Sequence, residues 1–166
     1  MALECRQLGD RYGILWDLDG TLVDTGELHY AAWVRLAERH ALPFTRADFT
    51  ATFGWRNPEI IPHIFGVTDA DDVARMGDWK EASYREVAVR GVELLPGVGS
   101  LLESAAQAGF LQAIGSSAPR NNLELLIDIT DTRRYFGAVV SMEDTRRGKP
   151  DPEVFLLAVI LGVTVF

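Results

Sequence analysis

Cysteine is almost absent from this sequence of 166 residues, since Cys5 is the only one. A single cysteine excludes an internal disulfide, so the fold depends on a hydrophobic core, which a chain of this length can bury. No apolar run near the N-terminus has the length of a signal peptide or of a membrane span. Together these absences predict a cytoplasmic protein that does not bind to a membrane.

Basic residues are scarce relative to acidic ones. The chain contains 16 lysines and arginines against 24 aspartates and glutamates, which gives a formal net charge of −8. This balance argues against a broad electrostatic surface for nucleic acid or anionic lipid, and we expect neither as a partner. Any phosphate that the protein binds therefore has to be held by a few local groups.

Short apolar runs alternate with helical patterns, which predicts an α/β fold. Apolar on both faces, the runs are typical of buried parallel strands. They are residues 12–16 (YGILW), 110–117 (FLQAIGSS), 137–141 (GAVVS) and 163–166 (VTVF). We therefore predict a doubly wound, parallel, Rossmann-like sheet.

The stretch between the first strand and the segment LLPGV contains only helical patterns. Apolar residues at helical spacing from Leu28 to Ala37 indicate an amphipathic helix, which Thr25 is placed to cap. Residues 45–90 show no strand-like alternation, and glycines and prolines separate their helical segments. The predicted domains are a helical cap at residues 25–94 and a core formed by residues 1–24 and 95–166.

Chemically active side chains follow the first three predicted strands. Asp17 and Asp19 follow the first strand in WDLDGTLVDT, Ser116 follows the second, and Lys149 lies in RRGKPDP after the third. Ligands of open α/β sheets bind beyond the carboxyl ends of the strands. There a carboxylate can attack phosphorus, a second carboxylate can act as acid and base, and a hydroxyl and a lysine can hold phosphoryl oxygens. A magnesium ion can offset the repulsion between an anionic nucleophile and an anionic substrate.

The motifs DLDGTLVDT, GSS and GKPDP resemble the first three signature motifs of the haloacid dehalogenase-like hydrolases. The resemblance is to the branch that contains β-phosphoglucomutase and many sugar-phosphate phosphatases. It implies that Asp17 is the nucleophile, that Asp19 is the general acid and base, and that Ser116 and Lys149 hold the phosphate. It also implies that Asp17 and the backbone carbonyl of Asp19 begin a magnesium site.

Three cap residues are further candidates for substrate contact. His29 and Trp33 lie one helical turn apart, and matching positions in the β-phosphoglucomutase branch approach the substrate. Core packing is the alternative for Trp33. Arg56, in a cap turn, is placed to meet a distal anion of the substrate, with a surface position as the alternative. In the core, Ser117 is the alternative to Ser116.

The sequence departs from the family pattern at its C-terminal end. Family members carry a fourth motif, a pair of acids after the fourth strand that completes the magnesium site, whereas this sequence stops at Phe166 within the strand predicted there. We therefore expect a truncated chain with its last strands missing. Because an uncovered edge strand offers unpaired backbone groups to another chain, we also expect a homo-oligomer through this C-terminal edge.

The function predicted from these motifs is a magnesium-dependent phosphatase of a small phosphorylated metabolite, acting through an aspartyl-phosphate. Two alternatives stay open. One is a β-phosphoglucomutase-like phosphomutase, and the other is a truncated, weakly active or inactive module that binds phosphate or a partner. The retained Asp17, Asp19 and Lys149 favour an enzyme, whereas the missing fourth motif favours the module.

Overall fold

A computed structural model describes residues 12–164, in which three strands alternate with seven α-helices. The strands are β1 (Gly13–Trp16), β2 (Leu111–Gly115) and β3 (Ala138–Val140). The helices are α1 (Gly26–His40), α2 (Arg46–Thr52), α3 (Asn57–Phe65), α4 (Ala70–Ala88), α5 (Val98–Gln107), α6 (Arg120–Ile129) and α7 (Glu153–Thr164). Short 3₁₀ turns at Arg133–Tyr135 and Met142–Asp144 flank β3.

The sheet is parallel, with the order β1-β2-β3. Trp16 lies opposite Ile114, and Gly115 lies opposite Val140. Because parallel strands end at the same edge of a sheet, the segments that follow β1, β2 and β3 come together at one edge. The predicted parallel α/β fold is confirmed.

Helices cover both faces of the sheet. Ile114 packs with Leu102 of α5 and Leu123 of α6, whereas the neighbouring Ala113 packs with Val154 of α7. Successive residues of a strand point to opposite faces, so α5 and α6 lie on one face and α7 on the other. Both faces of the central strand β2 are thus buried, which explains why it lacks an alternating pattern, whereas the edge strand β1 leaves Leu15 38% exposed.

Helices α1 to α4 form a helical unit inserted between β1 and α5. Much of this unit packs around its own apolar cluster, which consists of Trp33, Leu36, Phe49, Ile60, Ile61, Val73 and Met76. The two chain connections to the sheet run side by side, because Val23 and Leu94 form an antiparallel bridge and Leu95 N–H donates to the Leu22 carbonyl at 2.9 Å. This pairing lies next to the positions at which the sequence predicts the cap to begin and end, and the boundaries at residues 25 and 94 stay a prediction.

The predicted fourth strand is wrong where the structure describes it. Helix α7 continues through Val163 and Thr164, while Val165 and Phe166 lie outside the described residues. A uniformly apolar run does not distinguish a buried helix from a buried strand by its periodicity. The homo-oligomer expected through an edge strand at Val163 and Thr164 loses that support, and it stays an untested prediction.

Gly162 lies within α7 and does not end it. A Cβ at this position would lie 3.5 Å from the Cβ of Ala113 in β2, so the glycine lies where the helix approaches the sheet closely. Although α7 is the most apolar of these helices, none in residues 12–164 has both the length and the apolar character needed to cross a membrane.

Candidate active site

The carboxyl ends of the strands form one wall of a cavity of about 450 Å³. Asp17 follows β1 directly, and one of its carboxylate oxygens accepts a hydrogen bond from Leu18 N–H at 2.9 Å. The Nζ atom of Lys149 lies 2.7 Å from the other oxygen. The fold thus brings the predicted nucleophile and the predicted phosphate-binding lysine into direct contact.

Ser116 lies on the same wall and is 2% exposed. Its N–H donates to the Val140 carbonyl at 3.0 Å, which ties the turn after β2 to the end of β3. Its Oγ accepts from Ala118 N–H at 3.1 Å, a contact that leaves the hydroxyl hydrogen to donate to a ligand. Ser117 also lines the cavity, and its buried Oγ has no hydrogen-bond partner among the described residues. Both serines therefore remain candidates.

Asp19 lies among hydrogen-bond donors and positive charges. The Thr25 hydroxyl donates to its Oδ1 at 2.5 Å, and Nε2 of His29 lies 3.3 Å from the same oxygen. Burial alone would raise the pKa of Asp19, but the hydrogen bond and charge of His29, the Thr25 hydrogen bond and the charge of Lys80 hold it below its ordinary value. Asp19 is consequently a carboxylate at neutral pH, the form that accepts a proton.

A buried ion pair lies next to His29 within the cap. Nζ of Lys80 lies 2.9 Å from Nδ1 of His29 and donates to the Glu81 carboxylate at 2.8 Å. Asn57 and Asn122 donate to the two carboxylate oxygens of Glu81 at 2.8 and 2.6 Å. Burial would raise the pKa of Glu81, but the charges of Lys80 and His29 and these hydrogen bonds lower it below its ordinary value. Glu81 is therefore a carboxylate at neutral pH, in contact with the Lys80 side chain.

Sequence reasoning missed this ion pair, although a signal was present. Lys80 lies at helical spacing on the buried stripe of α4 that includes Val73, Met76 and Tyr84. A charge on a buried stripe requires a partner, so its position marked it as unusual. The chain contains only two lysines, Lys80 and Lys149, and both line the cavity.

Thr25 was assigned a different role from the one the structure shows. The N-terminus of α1 receives no side-chain capping bond from Thr25. Its hydroxyl turns to Asp19 instead, because the chain connection after β1 places the two residues in contact. Propensity for helix capping does not reveal this competing acceptor.

Aromatic side chains from the cap form the opposite wall of the cavity. Trp33, Phe49, Phe53 and Trp55 all line it, together with His29. Trp33 is 3% exposed and packs within the cap cluster, so it combines core packing with a position beside the cavity. Phe53 and Trp55 are 45% and 42% exposed, which leaves their rings accessible to a ligand.

Arg56 is not among the cavity-lining residues. It is 9% exposed, and its guanidinium donates to the backbone carbonyls of Thr145 and Arg147, which precede Lys149. The sequence predicted that Arg56 meets a distal anion of the substrate. The structure instead places it between the cap and the core.

Oxygen atoms suited to magnesium come from the segment after β1. Asp17 faces the cavity, and carboxylate and carbonyl oxygens are the ligands that this hard cation prefers, so Asp17 and the backbone of Asp19 fit the ion chemically. Among residues 12–164, no group of three or more histidine, cysteine, aspartate or glutamate side chains is placed to hold a metal. The described side chains thus supply only part of a magnesium shell.

Comparison with known proteins relates this site to one family. The sequence profile described as haloacid dehalogenase-like hydrolase matches residues 14–160. A phosphorylated carbohydrates phosphatase of Thermotoga maritima is 29% identical over 147 residues, which are 87% of this chain and 67% of that protein. A β-phosphoglucomutase of Bacillus subtilis is 30% identical over 155 residues, again covering 87% of this chain and 67% of the relative. The chain thus spans about two thirds of the length of these curated relatives.

Solved structures support the same fold. A crystal structure of a haloacid dehalogenase-like hydrolase from Bacteroides fragilis superposes with a TM-score of 0.81 at 24% identity, over 90% of this chain and 72% of that one. The profile match covers most of the chain, and the structural match includes both the sheet and the inserted helices in its extent. The chain belongs to the haloacid dehalogenase-like hydrolase family.

Proposed function

We propose that this protein hydrolyses a small phosphorylated metabolite, most suitably a sugar phosphate, through a phosphorylated Asp17. The observation that carries the proposal is the meeting of Asp17, Asp19, Ser116 and Lys149 at one cavity. Family membership and the phosphatase named among the relatives support phosphoryl transfer as the reaction class.

In the first step, a carboxylate oxygen of Asp17 forms a bond to phosphorus as the ester oxygen leaves. Lys149, which contacts the Asp17 carboxylate, and the Ser116 hydroxyl are placed to bind the phosphoryl oxygens. Asp19, which is a carboxylate in the free site at neutral pH, has to take up a proton before this step and then donates it to the departing alcohol oxygen. The products of this step are the alcohol and the aspartyl-phosphate.

In the second step, Asp19 has become the carboxylate and takes a proton from water. The resulting nucleophile displaces Asp17 from phosphorus, which restores the free carboxylate and releases inorganic phosphate. The lowered pKa of Asp19 suits this second step, since it maintains the basic form at neutral pH. The same residue therefore serves both half-reactions, and the sum is ester plus water to alcohol plus phosphate.

Magnesium is the cofactor that we propose for the site, held by the Asp17 carboxylate and the Asp19 carbonyl. When bound, the cation offsets the repulsion between an anionic nucleophile and a phosphate dianion. Lys149 supplies part of this neutralisation from the protein itself, because its ammonium lies 2.7 Å from Asp17.

Hydrolysis is favoured over phosphomutase action by the charge of the cap wall. A mutase that passes through a bisphosphate has to hold a second phosphate away from the nucleophile. The cap cation that lines the cavity within residues 12–164 is Lys80, apart from any charge on His29, and Lys80 is paired with Glu81. The aromatic rings of Trp33, Phe53 and Trp55 suit the apolar faces of a sugar better than a second anion.

A phosphate-release screen over sugar monophosphates and other small phosphate esters tests the proposal. It is run with magnesium and with a chelator, and Asp17→Asn serves as the control for contaminating phosphatases. We expect release that needs both Asp17 and the metal. Binding of inorganic phosphate without any release above the variant would instead support the phosphate-binding module. Phosphorus NMR of a sugar 1-phosphate with catalytic bisphosphate would reveal a mutase by the appearance of an isomer.

Two further expectations accompany the proposed function. A small phosphorylated metabolite is the proposed partner, and cytoplasm remains the predicted compartment because the chain has a single cysteine. The homo-oligomer is tested by light scattering over a dilution series of the purified chain.

A further inference from the structure

Arg56 connects the cap to the loop that carries Lys149. One terminal nitrogen of its guanidinium donates to the Thr145 carbonyl at 3.3 Å, and the other donates to the Arg147 carbonyl at 2.6 Å and to the Thr145 hydroxyl. A planar guanidinium that donates several bonds fixes the orientation of its acceptors. The loop of residues 145–148 is thus held by a side chain of α3's N-terminal turn.

Gly148 explains how this contact is accommodated. A Cβ at this position would lie 3.0 Å from Nε and 3.1 Å from Cδ of Arg56, and 3.1 Å from an oxygen of Glu59. The buried Nε atom has no hydrogen-bond partner among the described residues. The absence of a side chain at Gly148 therefore gives the arginine its room beside the loop, one residue before Lys149.

The opposite side of the loop is held from within the core. Arg147 N–H donates to the Glu153 carboxylate at 2.9 Å, and the Arg147 side chain pairs with Asp151 at 2.8 Å. Both acids belong to α7 or to the turn before it. The loop is consequently held by α7 on one side and by Arg56 on the other. Lys149 directly follows this loop, and its side chain contacts Asp17.

We propose that Arg56 is a positioning residue, which docks the cap on the loop of residues 145–148 and thereby holds Lys149 against Asp17. This proposal rests on the proposed function insofar as Lys149 binds the phosphoryl group. It differs from the role predicted from sequence, because Arg56 acts through Lys149 and does not contact a distal anion of the substrate. The hydrogen bonds that dock the cap then also place Lys149.

Activity measurements with matched substrates separate these two roles. Arg56→Gln and Arg56→Lys are compared on a sugar monophosphate and on the corresponding bisphosphate. Removal of charge-assisted hydrogen bonds of this kind typically costs enough to lower kcat/KM by about ten- to hundredfold. We expect Arg56→Gln to lose a similar part of its kcat/KM on both substrates. Arg56→Lys should recover little of it, because an ammonium cannot reproduce the hydrogen-bond geometry of the guanidinium. A loss confined to the bisphosphate, with recovery in Arg56→Lys, would overturn the proposal.

A double-mutant cycle with Gly148→Ala tests the contact itself. We expect Gly148→Ala to reduce activity in the wild-type background by displacing Arg56, and to have little further effect once Arg56 is glutamine. Arg75→Gln, an exposed arginine of the cap that pairs with Asp72, is the matched control and should leave activity unchanged. Additive effects of Arg56→Gln and Gly148→Ala would contradict the proposal.

Reactivity of Lys149 provides a readout that needs no catalysis. An amine-selective reagent with peptide mapping reports on each lysine, and Lys80 is only 3% exposed. In Arg56→Gln we expect Lys149 to be modified several times faster and to be protected less well by inorganic phosphate, with circular dichroism and the melting curve as controls for folding. An unchanged rate and unchanged protection would overturn the proposal even if the wild-type protein releases phosphate. If the wild-type protein releases none, faster modification of Lys149 in the variant still supports the positioning role of Arg56, and only the proposed function fails.

Discussion

The two walls of the cavity differ in how they are built. The core wall consists of polar groups placed by backbone at the ends of strands, with Asp17 after β1 and Ser116 after β2. The cap wall consists of aromatic side chains on helices and their connections, such as Trp33 and Trp55. Strand ends in a buried sheet are rigid, whereas a cap wall varies with the side chains it carries. From this difference we propose that the core wall carries out the chemistry and that the cap wall selects the substrate.

One element breaks this division. Asp19 belongs to the core segment after β1. Burial acts to raise its pKa, but His29 and Lys80, which belong to α1 and α4 of the cap, help to hold the pKa below its ordinary value. In the mechanism that we propose, the acid and base step is therefore the one to which both walls contribute. Substitutions on the core wall, on the cap wall and at the contact between the two walls test this division of roles.

Asp17→Asn should have the largest effect. The substitution removes the nucleophile but retains the shape of the side chain, so we expect turnover to fall by roughly 10⁴-fold or more while the fold is retained. Phosphate release measures the turnover, and circular dichroism measures whether the fold is retained. Asp78→Asn, the same change at an exposed position of α4, is the control and should have no effect. Residual activity of several per cent, with contamination excluded, would place the nucleophile elsewhere.

Asp19→Ala should lower the rate by about 10²–10⁴-fold, as is typical when acid and base assistance is lost. Substrate should still bind, since Asp17, Ser116 and Lys149 remain. The loss in the first step should be greatest for esters with poor leaving groups, because those need the proton most. A rate constant for ester cleavage that is unchanged for a poor leaving group would be inconsistent with the role given to Asp19.

His29→Gln should shift the acid limb of the pH–rate profile upward. His29 lowers the pKa of Asp19 by its hydrogen bond and charge, while burial acts in the opposite direction. Without His29 the pKa rises, so the basic form needed for the second step is lost at a higher pH. The profile is measured between about pH 3 and 7, around the ordinary aspartate pKa of ~3.9. His40→Gln, at the exposed end of α1, is the control, and a limb that stays in place or moves down would contradict the assignment.

Trp55→Ala should have the smallest effect and should leave the chemistry intact. Loss of an aromatic contact of about 0.5–1.5 kcal/mol corresponds to a roughly two- to tenfold rise in KM for a sugar phosphate. We expect little change for methyl phosphate, which is too short to reach the cap wall. Trp79→Ala, a cap tryptophan that does not line this cavity, provides the comparison. Equal losses on both substrates would show that the cap wall contributes to the chemical step.

The sequence by itself determined the architecture of the core wall. Buried parallel strands are recognisable as short apolar runs, and their carboxyl ends share an edge, so residues that follow separate strands are expected to converge there. For this reason Asp17, Asp19, Ser116 and Lys149 could be assembled into one predicted site without coordinates. The helical cap was recognisable for a similar local reason, since its segments lacked any strand-like alternation.

Only the tertiary structure decided which long-range partners each side chain meets. Periodicity locates a residue on one face of its own element, but not the group that faces it across the fold. It therefore could not show that Thr25 turns to Asp19, that Lys80 pairs with Glu81 beside His29, or that Arg56 docks on the loop before Lys149. The same limit applies to the end of α7 at Val163 and Thr164, where an apolar run leaves strand and helix equally open until the chain packs against the sheet.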